Sequence, residues 1–221
     1  MEAVLKVGGN LAEDPASLAR LCQELSVQAK AHRIVIVPGG SEFANTIRKL
    51  DKTYNISDVV AHKMAILAMD QYGLFLSDVT TSSYVSYVLK EINNSVNGML
   101  PIFLPSKLMF SKDPLEHSWD VTSDTIAAYI AGVLYAKKLV LVTDVDGIFS
   151  EDPKQNLDTT CIKELPAEEL LGWNKRTSVD KTLPKILLQT KLDCYVVNGR
   201  YPERIKHILE NKKTVCTHVT V

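Results

Sequence analysis

Short apolar runs alternate along the chain with stretches whose apolar positions recur at helical spacing. The runs predict strands near Ala3–Val7, Arg33–Val37, Leu74–Leu76, Leu100–Leu104, Lys138–Thr143, Asp193–Val197 and Cys216–Val219. Helices are expected between them. Asp14-Pro15 is a cap followed by a first-turn proline, opening a helix to about Ala31. Ser57 opens another, in which Val60, Met64, Leu67 and Ala68 share a face. Thr122 or Ser123 caps an apolar helix from about Asp124 to Tyr135, and two more helices are expected near Leu183–Thr190 and Glu203–Glu210. Such alternation predicts an α/β protein with a parallel, doubly wound sheet. No repeat, low-complexity tract or linker divides the chain, so residues 1–221 are expected to form a single domain.

Composition narrows the classes. A chain of 221 residues buries roughly 70% of its unfolded surface, so it needs no disulfide or metal staple. With 25 basic and 26 acidic residues the net charge is −1, which gives no electrostatic case for nucleic acid or an anionic membrane. The four cysteines, Cys22, Cys161, Cys194 and Cys216, lack ligand spacing and read as reduced thiols. A strand begins almost at once, leaving no room for a signal peptide, and Ile126 to Ala136 is too short to span a bilayer; a cytoplasmic protein is expected.

Four loops carry candidate phosphate chemistry. In the first, strand Val4-Leu5-Lys6-Val7 delivers a cation and then Gly8-Gly9, where bare backbone can approach phosphate oxygens. Neither a Walker A loop nor a G-x-G-x-x-G fingerprint occurs. The second, Pro38-Gly39-Gly40-Ser41, repeats this arrangement after the next strand, before a helix carrying Asn45 and Arg48. Two glycine pairs side by side suit donor and acceptor phosphates facing one another. The third, Trp119-Asp120-Val121-Thr122-Ser123-Asp124, puts Asp124 in a helix's first turn, either as a cap or to orient Lys6. The fourth runs from Thr143-Asp144-Val145-Asp146-Gly147 through Ile148-Phe149 to the Asp152-Pro153 turn, where an adenine and ribose would lie. Two carboxylates, Asp144 and Asp146, are too few for a protein metal site, so magnesium is expected on nucleotide phosphates.

Lys6-x-Gly8-Gly9, Pro38-Gly39-Gly40, Thr122-Ser123-Asp124 and Thr143-Asp144-Val145-Asp146-Gly147, in this order, resemble the amino acid kinase superfamily over nearly the whole chain. The resemblance implies a three-layer α/β/α fold with an eight-stranded, mainly parallel sheet. It also implies in-line phosphoryl transfer from Mg-ATP, with Lys6 and Asp124 catalytic and Gly8, Gly9, Asp144, Asp146, Gly147, Ile148, Phe149, Asp152 and Pro153 on the nucleotide side. A homo-oligomer is expected. Many members carry a Gly-Gly-Met-x-x-Lys element; here Asp180-Lys181-Thr182-Leu183-Pro184-Lys185 stands in its place, with Lys185 favoured over Lys181 as a phosphate contact.

A narrower resemblance, carried by Gly39 to Asn45, Ala61 to Ile66, Glu116 to Trp119, Thr177 to Asp180 and Val197 to Arg204, points to the aminomethylfuran phosphate kinases of methanofuran biosynthesis. Such an acceptor would need an anion site, for which Gly39, Gly40 and Arg48 are the candidates, with hydroxyls from Thr122 or Ser123 and a hydrogen bond from His117 to the attacking phosphate. Trp119 would stack on the ring, or anchor the core. Asp180, in preference to Asp120, would meet the ammonium, or cap a helix. The alternatives are a kinase for UMP, AMP or another small phosphate and, in another class, ATP-assisted storage of an oxoanion such as molybdate.

Overall fold

The computed structural model describes residues 1–94, 98–151, 159–175 and 177–221. Its strands are β1 (Ala3–Val7), β2 (Ile34–Pro38), β3 (Ser83–Ser86), β4 (Leu100–Phe103), β5 (Lys138–Thr143), β6 (Ile148–Phe149), β7 (Cys161–Ile162), β8 (Glu164–Pro166), β9 (Cys194–Asn198) and β10 (Thr217–Thr220). The helices are α1 (Pro15–Gln28), α2 (Ser41–Tyr54), α3 (Asp58–Asp78), α4 (Leu89–Asn93), α5 (Ser106–Lys112), α6 (Ser123–Val133), α7 (Ala167–Gly172), α8 (Leu183–Thr190) and α9 (Glu203–Leu209). Eight strands form one sheet in the order β3-β4-β2-β1-β5-β9-β10-β8, parallel except where β10 meets β9; β6 and β7 make a separate antiparallel pair.

Strand β1 shows why the sheet needs cover on both faces. Val4 belongs to a core cluster with α6 residues Ile126, Ala127 and Ile130, whereas Ala3, Leu5 and Val7 join one with Leu18, Leu21 and Leu25 of α1. Successive side chains of a strand point to opposite faces, so each face is sealed by a helical layer. The result is the expected three-layer α/β/α sandwich.

Two expectations fail around α3. Leu74–Leu76 is not a strand but the last turn of this 21-residue helix. A three-residue apolar run carries no periodicity of its own, and the helix opened after Ser57 holds no proline and continues through Gly73, whose missing side chain lets Leu104 and Pro38 pack closely. The edge strand is instead Ser83–Ser86, whose serines hid it. Nor is the Val60, Met64, Leu67, Ala68 face uniformly buried: Val60 and Leu67 are exposed, with Val59, Leu74 and Phe75, while Ile66, Met69, Tyr72 and Leu76 face the core. All four cysteines are free, and among the described residues no helix is long and apolar enough to cross a membrane.

Helix α1 starts as expected. The Asp14 carboxylate accepts from the Ser17 backbone N–H at 3.1 Å and from the Ser17 hydroxyl at 2.7 Å, ahead of Pro15. These Ser17 hydrogen bonds hold the Asp14 carboxyl below its ordinary range. A lowered folded-state pKa stabilises above the unfolded value, and that contribution is lost as pH falls through the folded one. Asp14→Ala is therefore expected to lower the urea midpoint at neutral pH, and the gap from the parent should close below about pH 4. A gap of the same size at both pH values would remove the charged cap from the account.

Candidate active site

Lys6 lies on β1 two residues after Val4, so it shares the α6 face of the sheet. There the first turn of α6 meets it: Lys6 Nζ is 2.7 Å from Asp124 Oδ1, with the two side chains only 12% and 10% exposed. Thr122 caps that helix, its hydroxyl accepting from the Asp124 N–H at 3.4 Å. The pair sits at the wall of a cleft beyond the carboxyl ends of β1, β2 and β5, where open α/β sheets bind ligands.

The two glycine loops meet there. The Gly39 N–H donates to the Val7 carbonyl at 2.8 Å, and a Cβ on Gly9 would stand 2.3 Å from the backbone of Ser41. Only glycine allows the loops to touch this closely. Gly8, Gly9, Asn10, Gly40 and Ser41 line the cleft, while Gly39 lies behind it as the loop-to-loop contact.

The far wall combines Arg48, His62, Ile66, Met69 and Trp119. Trp119 is pinned: its indole N–H donates to Asp51 Oδ2 at 2.8 Å, and the Arg48 guanidinium lies 4.7 Å from its ring centre. Arg48 also donates to Asn45 Oδ1 at 3.2 Å. Thr122, Ser123 and Asp144 complete the lining with Ser178, whose hydroxyl donates to the Gly147 carbonyl at 2.9 Å. The cleft is open at its mouth, and the space between its walls, part of it open solvent, amounts to about 910 Å³.

Several expected contacts lie elsewhere. Asp180 is 3% exposed and does not line the cleft. One carboxylate oxygen accepts from the Thr122 N–H (2.9 Å), Thr122 hydroxyl (2.8 Å) and Thr125 N–H (3.0 Å), the other from the Thr125 hydroxyl (2.6 Å) and Leu183 N–H (2.8 Å). It clamps the start of α6 to the start of α8, and with its oxygens so occupied it is unsuited to an acceptor's ammonium. Burial pushes its carboxyl up, Asp124 adds to this, and the threonine hydrogen bonds oppose both. His117 sits behind His62, its Nε2 2.7 Å from Asp113 Oδ1, so His62 holds the wall position foreseen for His117.

On the nucleotide side, Asp146 is held by Arg204 (2.6 Å) and Asn198 (3.0 Å), away from the cleft. Ile148 is a core residue, so only Phe149 of this pair retains an accessible surface. Gly147 lacks a side chain for packing reasons: a Cβ there would stand 2.4 Å from the Thr217 hydroxyl and 2.6 Å from the Cys161 sulfur. Lys185 is exposed and outside the cleft lining, and Lys181 pairs with Asp120 at 3.3 Å. Asp152 and Pro153 lie outside the described residues. Sequence reasoning passed over His62 and Ser178, since a histidine inside an apolar helix gives no signal of facing a cavity.

The model of the amino acid kinase family matches residues 1–198. A protein of Methanocaldococcus jannaschii named [5-(aminomethyl)furan-3-yl]methyl phosphate kinase is 37% identical over 216 residues, covering 98% of this chain and 96% of that protein. A uridylate kinase of Methanococcus aeolicus is 27% identical over 227 residues, covering 96% of each. Among solved structures, the uridylate kinase of Archaeoglobus fulgidus superposes with a TM-score of 0.77 at 20% identity, covering 100% of both chains. The UMP kinase of Bacillus anthracis gives 0.76 at 20% identity, over 99% of this chain and 95% of that one. At such identities the structures speak for the fold.

The Asp180 clamp predicts a stability defect. Asp180→Ala strands five donors, and hydrogen bonds to a charged acceptor contribute about 1.5–3 kcal/mol each, so a loss on the order of 3 kcal/mol or more is expected in urea unfolding. A variant as stable as its parent would contradict the clamp.

Proposed function

From the premise that the chain belongs to the amino acid kinase family, we propose that it transfers the γ-phosphoryl group of ATP to a small phosphomonoester, most closely matching [5-(aminomethyl)furan-3-yl]methyl phosphate, to form a diphosphate. The observation that carries the kinase reading is the Lys6–Asp124 pair at 2.7 Å beside two touching glycine loops. The relative that is 37% identical over 98% of the chain supports the acceptor.

The residues present suit a nucleotide with magnesium on its phosphates. The cleft offers a lysine ammonium, small glycine-lined walls and the Asp144 carboxylate, and among the described residues no group of three or more His, Cys, Asp or Glu forms a metal cage. When bound, Mg-ATP supplies the phosphoryl group and screens its charge. Lys6 holds an ammonium where negative charge grows between donor and acceptor, and Asp124 fixes its position beforehand, so little reorganisation is needed as the charge moves. Arg48, with Gly40 and Ser123, binds the acceptor phosphate, and Trp119 provides a rigid wall for its ring. No general base is required, because the attacking phosphate is already an anion.

The exposed apolar positions of α3 are proposed to be covered by a second copy of the chain, in a cytoplasmic homo-oligomer. UMP is the second acceptor reading, favoured by the uridylate kinases among the relatives. An oxoanion store remains the reading from another class; copurifying metal oxide without turnover would favour it.

Lys6→Ala is expected to lower kcat by about 10²–10³, the scale of one lost preorganised electrostatic donor, with a folded enzyme. Turnover within a few-fold of the parent would end the assignment. For the acceptor, ADP release measured across a panel of phosphomonoesters should give the highest kcat/KM with the aminomethylfuran phosphate; a preference for UMP would replace it.

A further inference from the structure

His62 is 7% exposed and lines the cleft, yet among the described residues its ring nitrogens have no hydrogen-bond partner. Its nitrogens are not among the sealed, unpartnered polar atoms of the described residues, so the ring meets the cleft and is open to a hydrogen bond with a bound molecule. Its ring packs against the His117 ring, 5.0 Å between centres, and His117 is itself held by Asp113 at 2.7 Å. Burial lowers the His62 pKa, and His117 lowers it further. The ring is therefore neutral at neutral pH and offers one nitrogen lone pair.

His62 also opens onto a small recess beside the cleft, between α3 and residues 118–121. Asp58, Ala61, Ala65, Ser118, Trp119 and Val121 line the rest of it. The recess holds about one water-sized group. Charge is divided across the site: Lys6 and Arg48 belong to the cleft with the glycine loops, whereas the recess has a carboxylate and a lone pair but no cationic side chain. One end suits phosphate. The other suits a small cation.

We propose that this recess is the subsite for a protonated primary amine on the acceptor, with the neutral His62 imidazole accepting one of its hydrogen bonds and the Asp58 carboxylate providing the countercharge. The inference deepens the aminomethylfuran reading and rests on it. It gives the amine a place that Asp180, saturated by five donors, does not provide. Acceptors carrying a hydroxyl or methyl group there would forgo the attraction of the Asp58 carboxylate, which is otherwise solvated at its exposed position.

The test compares kcat/KM for the aminomethylfuran phosphate with that for the same molecule bearing a methyl group in place of the aminomethyl. The parent should favour the amine. His62→Leu should reduce that preference by about 10–100-fold, the scale of one hydrogen bond to a charged group, and the exposed Asp58→Asn by about 2–5-fold, the scale of a solvated ion pair; the readout is the ratio between the two substrates. His62→Asn, which keeps an accepting oxygen, should retain part of it. The groups facing His62 are His117, with Asp113 behind it, and Asp58 from its own helix. Because burial and His117 hold the His62 pKa below its ordinary value, the preference in the parent should persist through neutral pH and fall only below the ordinary imidazole range, where an imidazolium would repel the ammonium; phosphate ionisation is common to both substrates and cancels in the ratio. If His62→Leu does not fold, Asp58→Asn at its exposed position decides alone. A parent that uses both acceptors equally, or variants that keep the full preference, would overturn the recess. A parent that uses neither but phosphorylates UMP would overturn the acceptor reading itself, and the recess with it.

Discussion

Lys6 places a cation on a strand whose other residues are fully buried, and the fold around the cleft is arranged to satisfy it. Its partner, Asp124, comes from the first turn of α6, which must arrive at the correct depth and rotation. That placement is fixed by a third residue. Asp180 gathers the N–H groups and hydroxyls of Thr122 and Thr125 on either side of Asp124, and ties them to the first N–H of α8. A buried carboxylate is costly unless its hydrogen bonds are made, so the clamp either forms completely or not at all. The distance of 2.7 Å between Lys6 and Asp124 thus depends on a residue 55 or more positions further along the chain.

The cleft then has two ends of opposite character. Touching glycine loops, Lys6 and Arg48 make an end whose chemistry suits phosphate, where removing Cβ atoms matters as much as adding charge. The Trp119 wall is rigid because both its N–H and its face are engaged by Asp51 and Arg48. Beyond it lie His62 and Asp58, where the small recess opens beside the cleft. On the proposed reading, one part of the site would serve any phosphate kinase on this scaffold, and the other would discriminate among acceptors.

The glycine-and-lysine end of the cleft was legible in the sequence, because glycine pairs and an intrastrand lysine are local signals. Strands β1 and β5 could be bounded to the residue, as their apolar runs are sharply terminated by glycine and aspartate. The serine-rich β3 was hidden by composition, and Leu74–Leu76 was misread since a short apolar run looks alike in a helix and a strand. Asp180 and His62 failed for another reason. Whether a carboxylate is a helix cap or a ligand, and whether a histidine faces core or cavity, depends on residues dozens of positions away. Asp146 and Ile148 show the same limit: the motif locates the loop but not which side chains turn inward.

The central claim is that Asp124 acts through Lys6, and a double-mutant cycle on single-turnover rates tests it most directly. If the two form one unit, Lys6→Ala combined with Asp124→Asn should be about as slow as Lys6→Ala alone, since a residue whose only role is to position another has nothing left to position. Rate losses that multiply in the double variant would mean that the two side chains act independently, and would contradict the account.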